Sequence, residues 1–168
     1  MKTIDISKHT KYSLELIFSE ADKLATQILS SISENRNKSF FLFAFIASLI
    51  SFSFIKITES DFNYLILLIG GAFSCVLLRK NLFPQTIGFR GALPENLIIS
   101  YFDKFKDDDL NKEYLATQIQ SYNDAMNHNK EEMIAMVKRF KNAALFMFFT
   151  FIIFGIAFLI GFIECLPT

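Results

Sequence analysis

Apolar and polar residues alternate along this chain on two length scales. On the shorter one, Leu14, Ile17, Ala21, Leu24, Ile28 and Ser31 or Ile32 recur at steps of three and four, while Glu15, Ser19, Asp22, Lys23 and Gln27 fall between them. That spacing predicts an amphipathic helix, with Thr10 or Ser13 placed to cap its start. The pattern returns at Leu115, Ile119, Tyr122, Met126, Met133, Met136 and Phe140, with Asn129 in the register position that lacks an apolar residue. It is a heptad seam of about four repeats.

On the longer scale, three stretches carry no charge: Phe40 to Ile55, Phe62 to Leu78, and Asn142 to Ile163, which are 16, 17 and 22 residues long. A hydrocarbon core of about 30 Å takes about 20 helical residues. The three stretches therefore predict three transmembrane helices, the first reaching Ile57 if Lys56 extends its amine out of the apolar layer. The short KITESD segment makes the first two an antiparallel hairpin. Beyond them, RKNLFPQTIGFRGALPEN holds Pro84, Gly88, Gly91 and Pro94 and reads as a loop. Pro94 with Glu95 suits a helical first turn and predicts a short helix over about 94 to 105. From Asp109 no breaker occurs until Gly155. The seam helix is therefore expected to run unbroken into the third span, where Ala143, Met147, Thr150, Phe154, Ala157 and Gly161 continue its register.

The expected fold class is an all-α membrane protein. It has three transmembrane helices and a cytoplasmic helical bundle, the last helix being long and continuous from cytoplasm into membrane. The expected divisions are an N-terminal amphipathic helix (1–39), a transmembrane hairpin (40–80), a cytoplasmic helical region (81–141), and a third transmembrane helix with a short outer tail (142–168).

Composition fits this reading: 52% of residues are hydrophobic, 21 are Phe and none is Trp. Net charge is zero, so its distribution is what informs. Arg36 and Lys38, Arg79 and Lys80, and Lys138, Arg139 and Lys141 flank the spans on one side. By the positive-inside rule that side is cytoplasmic, which places the N-terminus inside and the C-terminus outside. The other side holds Glu59, Asp61 and Glu164 against Lys56, a small acidic rim. The first apolar run begins only at residue 40, too late for a signal peptide. Cys75 and Cys165 fall near opposite faces of the membrane, so a disulfide between them is not expected, and Cys75 reads as a small packing residue.

The two histidines, His9 and His128, lie in polar segments. The spans hold no Asp, Glu, Lys, Arg or His, and no HExxH, GxxxxGK, GxGxxG or GxSxG occurs. No enzymatic activity, cofactor or metal is expected. The small and polar residues of the spans are Ser48, Ser51 and Ser53, then Asn63, Gly70, Gly71 and Ser74, then Thr150, Gly155 and Gly161. Such residues let helices approach closely in lipid, and packing within one chain accounts for them. A functional alternative has them line a pore between copies, because three helices are too few to enclose a water path. Ser48, Ser51, Asn63 and Thr150 are then pore candidates, and Glu59, Asp61 and Glu164 form a rim that favours cations.

The seam residues Tyr122, Met126, Asn129, Met133, Met136 and Phe140 have two possible partners. They can face the same helix of neighbouring copies, where Asn129 would fix register, or they can face the N-terminal helix. A ligand set is suggested by cations among aromatics: Arg90, Lys104, Lys106, Tyr114, Tyr122, Lys130, Lys138 and Arg139. Bases stack on rings and phosphates pair with cations, although Asp103, Asp107, Asp108, Asp109, Glu131 and Glu132 dilute the pattern.

The order of two spans, then FRGALPENLIISYF, then KEYLATQIQSYNDAMNHNKEEMIAMVKRFKNAALFMFF leading into a last span resembles the small helical membrane effectors of bacterial anti-phage defence operons. These include the SLATT-type effectors and the membrane effector of Hailong-type systems. The resemblance implies a homo-oligomer, with a tetramer favoured, in the bacterial inner membrane. It implies a channel-like protein that responds to a nucleotide or oligonucleotide made by an operon-partner enzyme and depolarises the infected cell. A non-conducting membrane scaffold that recruits a soluble partner through the heptad helix is the alternative.

Overall fold

The computed structural model of the chain describes residues 5–83, 87–88 and 99–164, and the elements it forms there are helical. Three long helices carry the fold: α1 (Lys11–Thr58), α2 (Leu65–Leu82) and α3 (Asp107–Glu164). Short 3-10 turns occupy Ile6–Lys8, Phe62–Tyr64 and Phe102–Lys104. All three long helices are long and apolar enough to cross a membrane. At 1.5 Å per residue, the 18 residues of α2 cover about 27 Å, close to one hydrocarbon thickness.

Local chemistry sets the helix ends. Thr10 caps α1: its Oγ1 accepts from the Ser13 N–H at 3.1 Å, and the Ser13 hydroxyl donates to the Thr10 carbonyl at 2.8 Å. These contacts satisfy groups that a helix start leaves open. At the other end, Asp61 N–H reaches back to the Lys56 carbonyl and Ser60 N–H to the Ile57 carbonyl. Ser60 is left-handed at φ 71°. This is the six-to-one closure that commonly ends helices, with Ser60 where glycine is usual. The Asp61 carboxylate then accepts from the Asn63 N–H at 3.3 Å, so the chain turns into α2 within a few residues. Asp107, Asp108 and Asp109 open α3, where negative charge suits the helix dipole.

The short helix expected over about 94 to 105 is corrected in part. Residues 94–98 lie outside the described residues, while 99–105 form a bend, a turn and the 3-10 segment rather than an α-helix. Ring packing explains this: Phe102 is buried and stacks on Tyr114 at 4.5 Å between centroids. Phe105 then leaves in extended conformation.

The chain divides into two compact units, and both α1 and α3 contribute to each. In the unit made of Met1–Ile32 and Thr86–Met133, α1 and α3 run parallel. Phe18 meets Tyr122 edge-on at 5.2 Å, and the Tyr122 hydroxyl donates to Asp22 at 3.2 Å. Leu14, Ala25, Ile28 and Ile32 are buried on α1, as are Ala116, Ile119, Tyr122 and Ala125 on α3. The expected amphipathic face of α1 holds at Leu14, Ile28 and Ile32 and departs from expectation at two positions. Ile17 and Leu24 stand 39% and 49% exposed, while Phe18 and Ala25 turn inward. Both members of each adjacent pair are apolar, so the pattern near the start does not choose between them. The helix as a whole does, because Ala25, Ile32, Ser39, Ile46 and Ser53 are all buried at seven-residue intervals, and that register runs the length of α1.

In the unit made of Ser33–Gln85 and Ile134–Thr168, all three long helices pack together. Ile46, Leu78, Ala143 and Met147 form the buried centre, with Leu42, Phe43, Leu49, Ile50, Leu77 and Phe140 around it. Two glycines set the spacing. A Cβ on Gly70 of α2 would collide with the Thr150 side chain of α3, and one on Gly71 would stand 2.8 Å from Ile50 of α1. Close approach of this kind replaces the hydrophobic force that is missing in lipid. Gly70→Ala should therefore destabilise the fold by about 1–3 kcal/mol, the usual range for overpacking. Because Thr150 is short and β-branched, it cannot swing aside, and Thr150→Ala should restore most of the loss. Melting of the two single variants and the double variant in detergent measures that coupling.

The outside of this unit is as apolar as its inside. Phe41, Phe54, Ile69, Val76, Phe149, Leu159 and Ile163 are each more than half exposed. An apolar surface of this extent is far larger than the patches that water-soluble proteins tolerate. Three apolar helices of membrane-spanning length with such exteriors are compatible with a membrane protein.

Candidate functional site

Three polar regions stand out among the described residues. The first is the turn joining α1 to α2. Lys56 pairs with Glu59 at 2.6 Å, and Asp61 is occupied in capping the turn. Of the expected rim residues, Glu59 is exposed, while Asp61 and Asn63 are half-buried; the Glu164 side chain lies outside what the structure describes. A methyl placed on Gly161 would stand 3.6 Å from the Asn63 carboxamide, which fixes the turn beside the end of α3.

Of the expected pore residues, Ser48 and Ser51 are exposed on α1, and their hydroxyls donate to the Ala44 and Ala47 carbonyls at 3.0 Å. They face away from the other helices. Thr150 does not join them, for it is 5% exposed, donates to the Phe146 carbonyl and packs against Gly70 within a single copy. Ser53 and Ser74 are fully buried, and their hydroxyls have no hydrogen-bond partner.

The second region is a buried polar node at the opposite end of the same unit. Asn81 of α2 is fully buried and donates through Nδ2 to the Ser39 hydroxyl of α1 and to the Met136 carbonyl of α3, both at 3.0 Å. Its Oδ1 accepts from Arg139 at 3.3 Å, and Ser39 passes its own proton to the Asn35 carbonyl at 2.8 Å. One carboxamide thus ties three helices together at a single level. A network of this kind specifies one arrangement, because any slip strands buried polar groups. Sequence reasoning missed it. The available signal was an Asn just after Arg79 and Lys80, at the edge of an apolar run, where solvation was the simpler assignment.

The third region is the seam in the other unit. Asn129 is 3% exposed. Its carboxamide donates to the Gly88 carbonyl at 3.0 Å and accepts from the Gly88 N–H at 2.8 Å, holding that residue as a neighbouring strand would. Glycine suits this close approach, since a Cβ on Gly88 would lie 3.1 Å from the Ala125 backbone. The positions expected to form an oligomer seam are covered within one chain. Tyr122, Asn129 and Met136 are buried, and Met126, Met133 and Phe140 are half-buried. Asn129 fixes Gly88 on α3, which engages one donor and one acceptor of its buried carboxamide within the chain.

The expected ligand residues are scattered. Lys104 sits 3.9 Å above the Tyr101 ring and 5.3 Å from that of Phe105. Tyr114 stacks on Phe102, and Tyr122 is bound to Asp22. Partial burial, and then the nearby Glu113 carboxylate, push the Tyr101 phenol above its ordinary pKa. The rings expected to stack bases are therefore engaged in packing. Lys106, Lys130 and Lys138 are exposed, and Arg139 serves the Asn81 node; Arg90 lies outside the described residues. In the unit made of Met1–Ile32 and Thr86–Met133, Ile17, Leu24, Ile119 and Met126 border an open groove of about 680 Å³, with Glu20, Lys23, Gln27, Gln120 and Asn123 on its walls. Comparison of the chain with protein-family models, with curated proteins and with solved structures gives no match in any of the three.

Proposed function

We propose that this chain is a homo-oligomeric, ion-channel-like membrane effector. A ligand of nucleotide or oligonucleotide class, bound on its cytoplasmic side, would control it. The observation that supports this reading most is helix continuity: α1 and α3, of 48 and 58 residues, each serve both the polar-faced and the apolar-faced unit without a break. A helix has no soft joint unless Pro, Gly or an inserted group provides one. A ligand that prefers one arrangement of the first unit would then bias the second.

On the channel reading, the packing within one copy calls for an oligomer. The inner faces of the three helices contact one another through Gly70, Gly71 and Thr150, so a water path has to lie between copies, where Ser48 and Ser51 already face. Glu59 and Asp61 at the hairpin end favour cations. The likeness to anti-phage effectors extends this reading to collapse of the membrane potential, with the N-terminus cytoplasmic and the C-terminus outside.

The scaffold reading draws on a different observation, the open groove along Ile17, Leu24, Ile119 and Met126. A soluble partner would dock there, where Ile119 and Met126 bring part of the heptad helix to an open surface. Purified protein fused into planar bilayers separates the two readings. Stepwise currents that respond to added oligonucleotides or cyclic dinucleotides are expected of the channel. Inserted protein that stays silent under all of them contradicts the channel and favours the scaffold.

A further inference from the structure

Three short runs of cations lie at one level of the apolar-faced unit. They are Arg36 and Lys38 on α1, Arg79 and Lys80 on α2, and Lys138, Arg139 and Lys141 on α3. The Asn81 node fixes that level, because Asn81 touches Ser39, Met136 and Arg139 directly. Each cation falls within about 8 Å of the node along its own helix, at 1.5 Å per residue. Three carboxylates lie as near along α1 and α3: Glu131 and Glu132 ahead of the α3 run, and Glu34, which Lys38 holds at 2.7 Å, keeping its carboxyl below the ordinary range through that hydrogen bond and then the charge. Arg79, Lys138 and Lys141 are exposed. Arg36 differs from them, for its Nε is buried and has no hydrogen-bond partner. A buried donor of that kind is costly unless an acceptor meets it.

Immediately beyond the cations the surface turns apolar, with Phe41 78% and Val76 58% exposed. At the hairpin end, by contrast, Lys56 is already paired with Glu59. A ligand that suits the basic end therefore has an anionic head and a hydrocarbon tail. A phosphate free in solution would satisfy the cations and leave the adjoining apolar surface uncovered.

We infer that the basic end of the three helices is a binding site for the phosphate headgroup of an anionic phospholipid, with Arg36 as the inward donor and Arg79, Lys80, Lys138 and Lys141 around it. The inference rests on the membrane reading above. Arginine suits the task because its planar fork can present Nε and a terminal nitrogen to two phosphate oxygens together. Clusters of basic side chains beside spans attract anionic lipid in the same way.

The test uses the full chain in detergent micelles. Phosphatidylglycerol and phosphatidylcholine compete for it, and retained lipid is counted by native mass spectrometry. Preferential retention of phosphatidylglycerol is expected, weakening about fivefold for each cation removed. Arg36→Gln should reduce it while far-UV helicity and the melting temperature stay unchanged. If Arg36→Gln fails to fold, the exposed pair Arg79→Gln with Lys138→Gln makes the same test at the surface. Equal retention of the two lipids overturns the site, and so does displacement by millimolar inorganic phosphate, which would mark a soluble anion site. Protein that remains soluble without detergent and retains neither lipid overturns the membrane reading as well, and so is distinguishable from failure of the site alone.

Discussion

Replacing Asn81 with Leu should destabilise the protein by about 2–4 kcal/mol, although the two side chains share the same branched skeleton and Leu is the more apolar. The loss comes from three contacts made by one carboxamide: donation to Ser39, donation to the Met136 carbonyl, and acceptance from the Arg139 guanidinium. A neutral hydrogen bond contributes about 0.5–1.5 kcal/mol net and one to a charged group about 1.5–3. The arginine contact, at 3.3 Å, belongs at the low end of its range. Ser39→Ala should lose only about 1 kcal/mol, because Asn81 keeps its other partners. The double variant should be less than additive, since both substitutions remove the same bond. Thermal unfolding in detergent, followed by helicity, gives all three values. An Asn81→Leu variant as stable as the parent would show that the node is an incidental contact.

The second large effect concerns the passage of α3 from one unit to the other. Asn142 is exposed on α3, one residue before the buried Ala143. Proline there removes the N–H that bonds to the Lys138 carbonyl and places its ring against the same oxygen, which costs about 3 kcal/mol or more in a helix interior. The uncharged run after it is untouched, so membrane insertion should persist. If α3 carries a ligand's effect into the spans, Asn142→Pro should abolish ligand-dependent current at an unchanged level of inserted protein. Asn142→Ala should leave both intact, because Ala is the best helix former. Full ligand response in the proline variant would sink the proposal of a transmitting helix.

The sequence disclosed the helices better than it disclosed what they touch. The run from Asp109 to Gly155 without a breaker announced α3, and the structure has it from Asp107 to Glu164. The inward register of α3 was legible because its heptad positions are occupied by large or distinctive residues such as Tyr122, Met136 and Met147. On α1 the same register was obscured. Ile17 beside Phe18, and Leu24 beside Ala25, offer two apolar faces, and a small residue such as Ala25 or Ser39 signals little about burial. The partner of the seam was not legible at all. A heptad pattern states that a face is covered but not by which chain, and only the bonds from Asn129 to Gly88 settle that residue's partner. Asn81 was hidden for a related reason, because a polar residue at the edge of an apolar run has solvent as its default partner until two other helices are placed beside it.

The central claim is that α1 and α3 pass unbroken from a cytoplasmic unit into the membrane. Substituted-cysteine labelling tests it most directly. In a background of Cys75→Ser and Cys165→Ser, a single cysteine is introduced in place of Asp124 or of Ser60, both exposed. Intact cells are then treated with a membrane-impermeant maleimide. The account predicts labelling of the Ser60→Cys protein in intact cells and of the Asp124→Cys protein only after the membrane is opened. Labelling of both in intact cells, or of the Asp124→Cys protein alone, would contradict it.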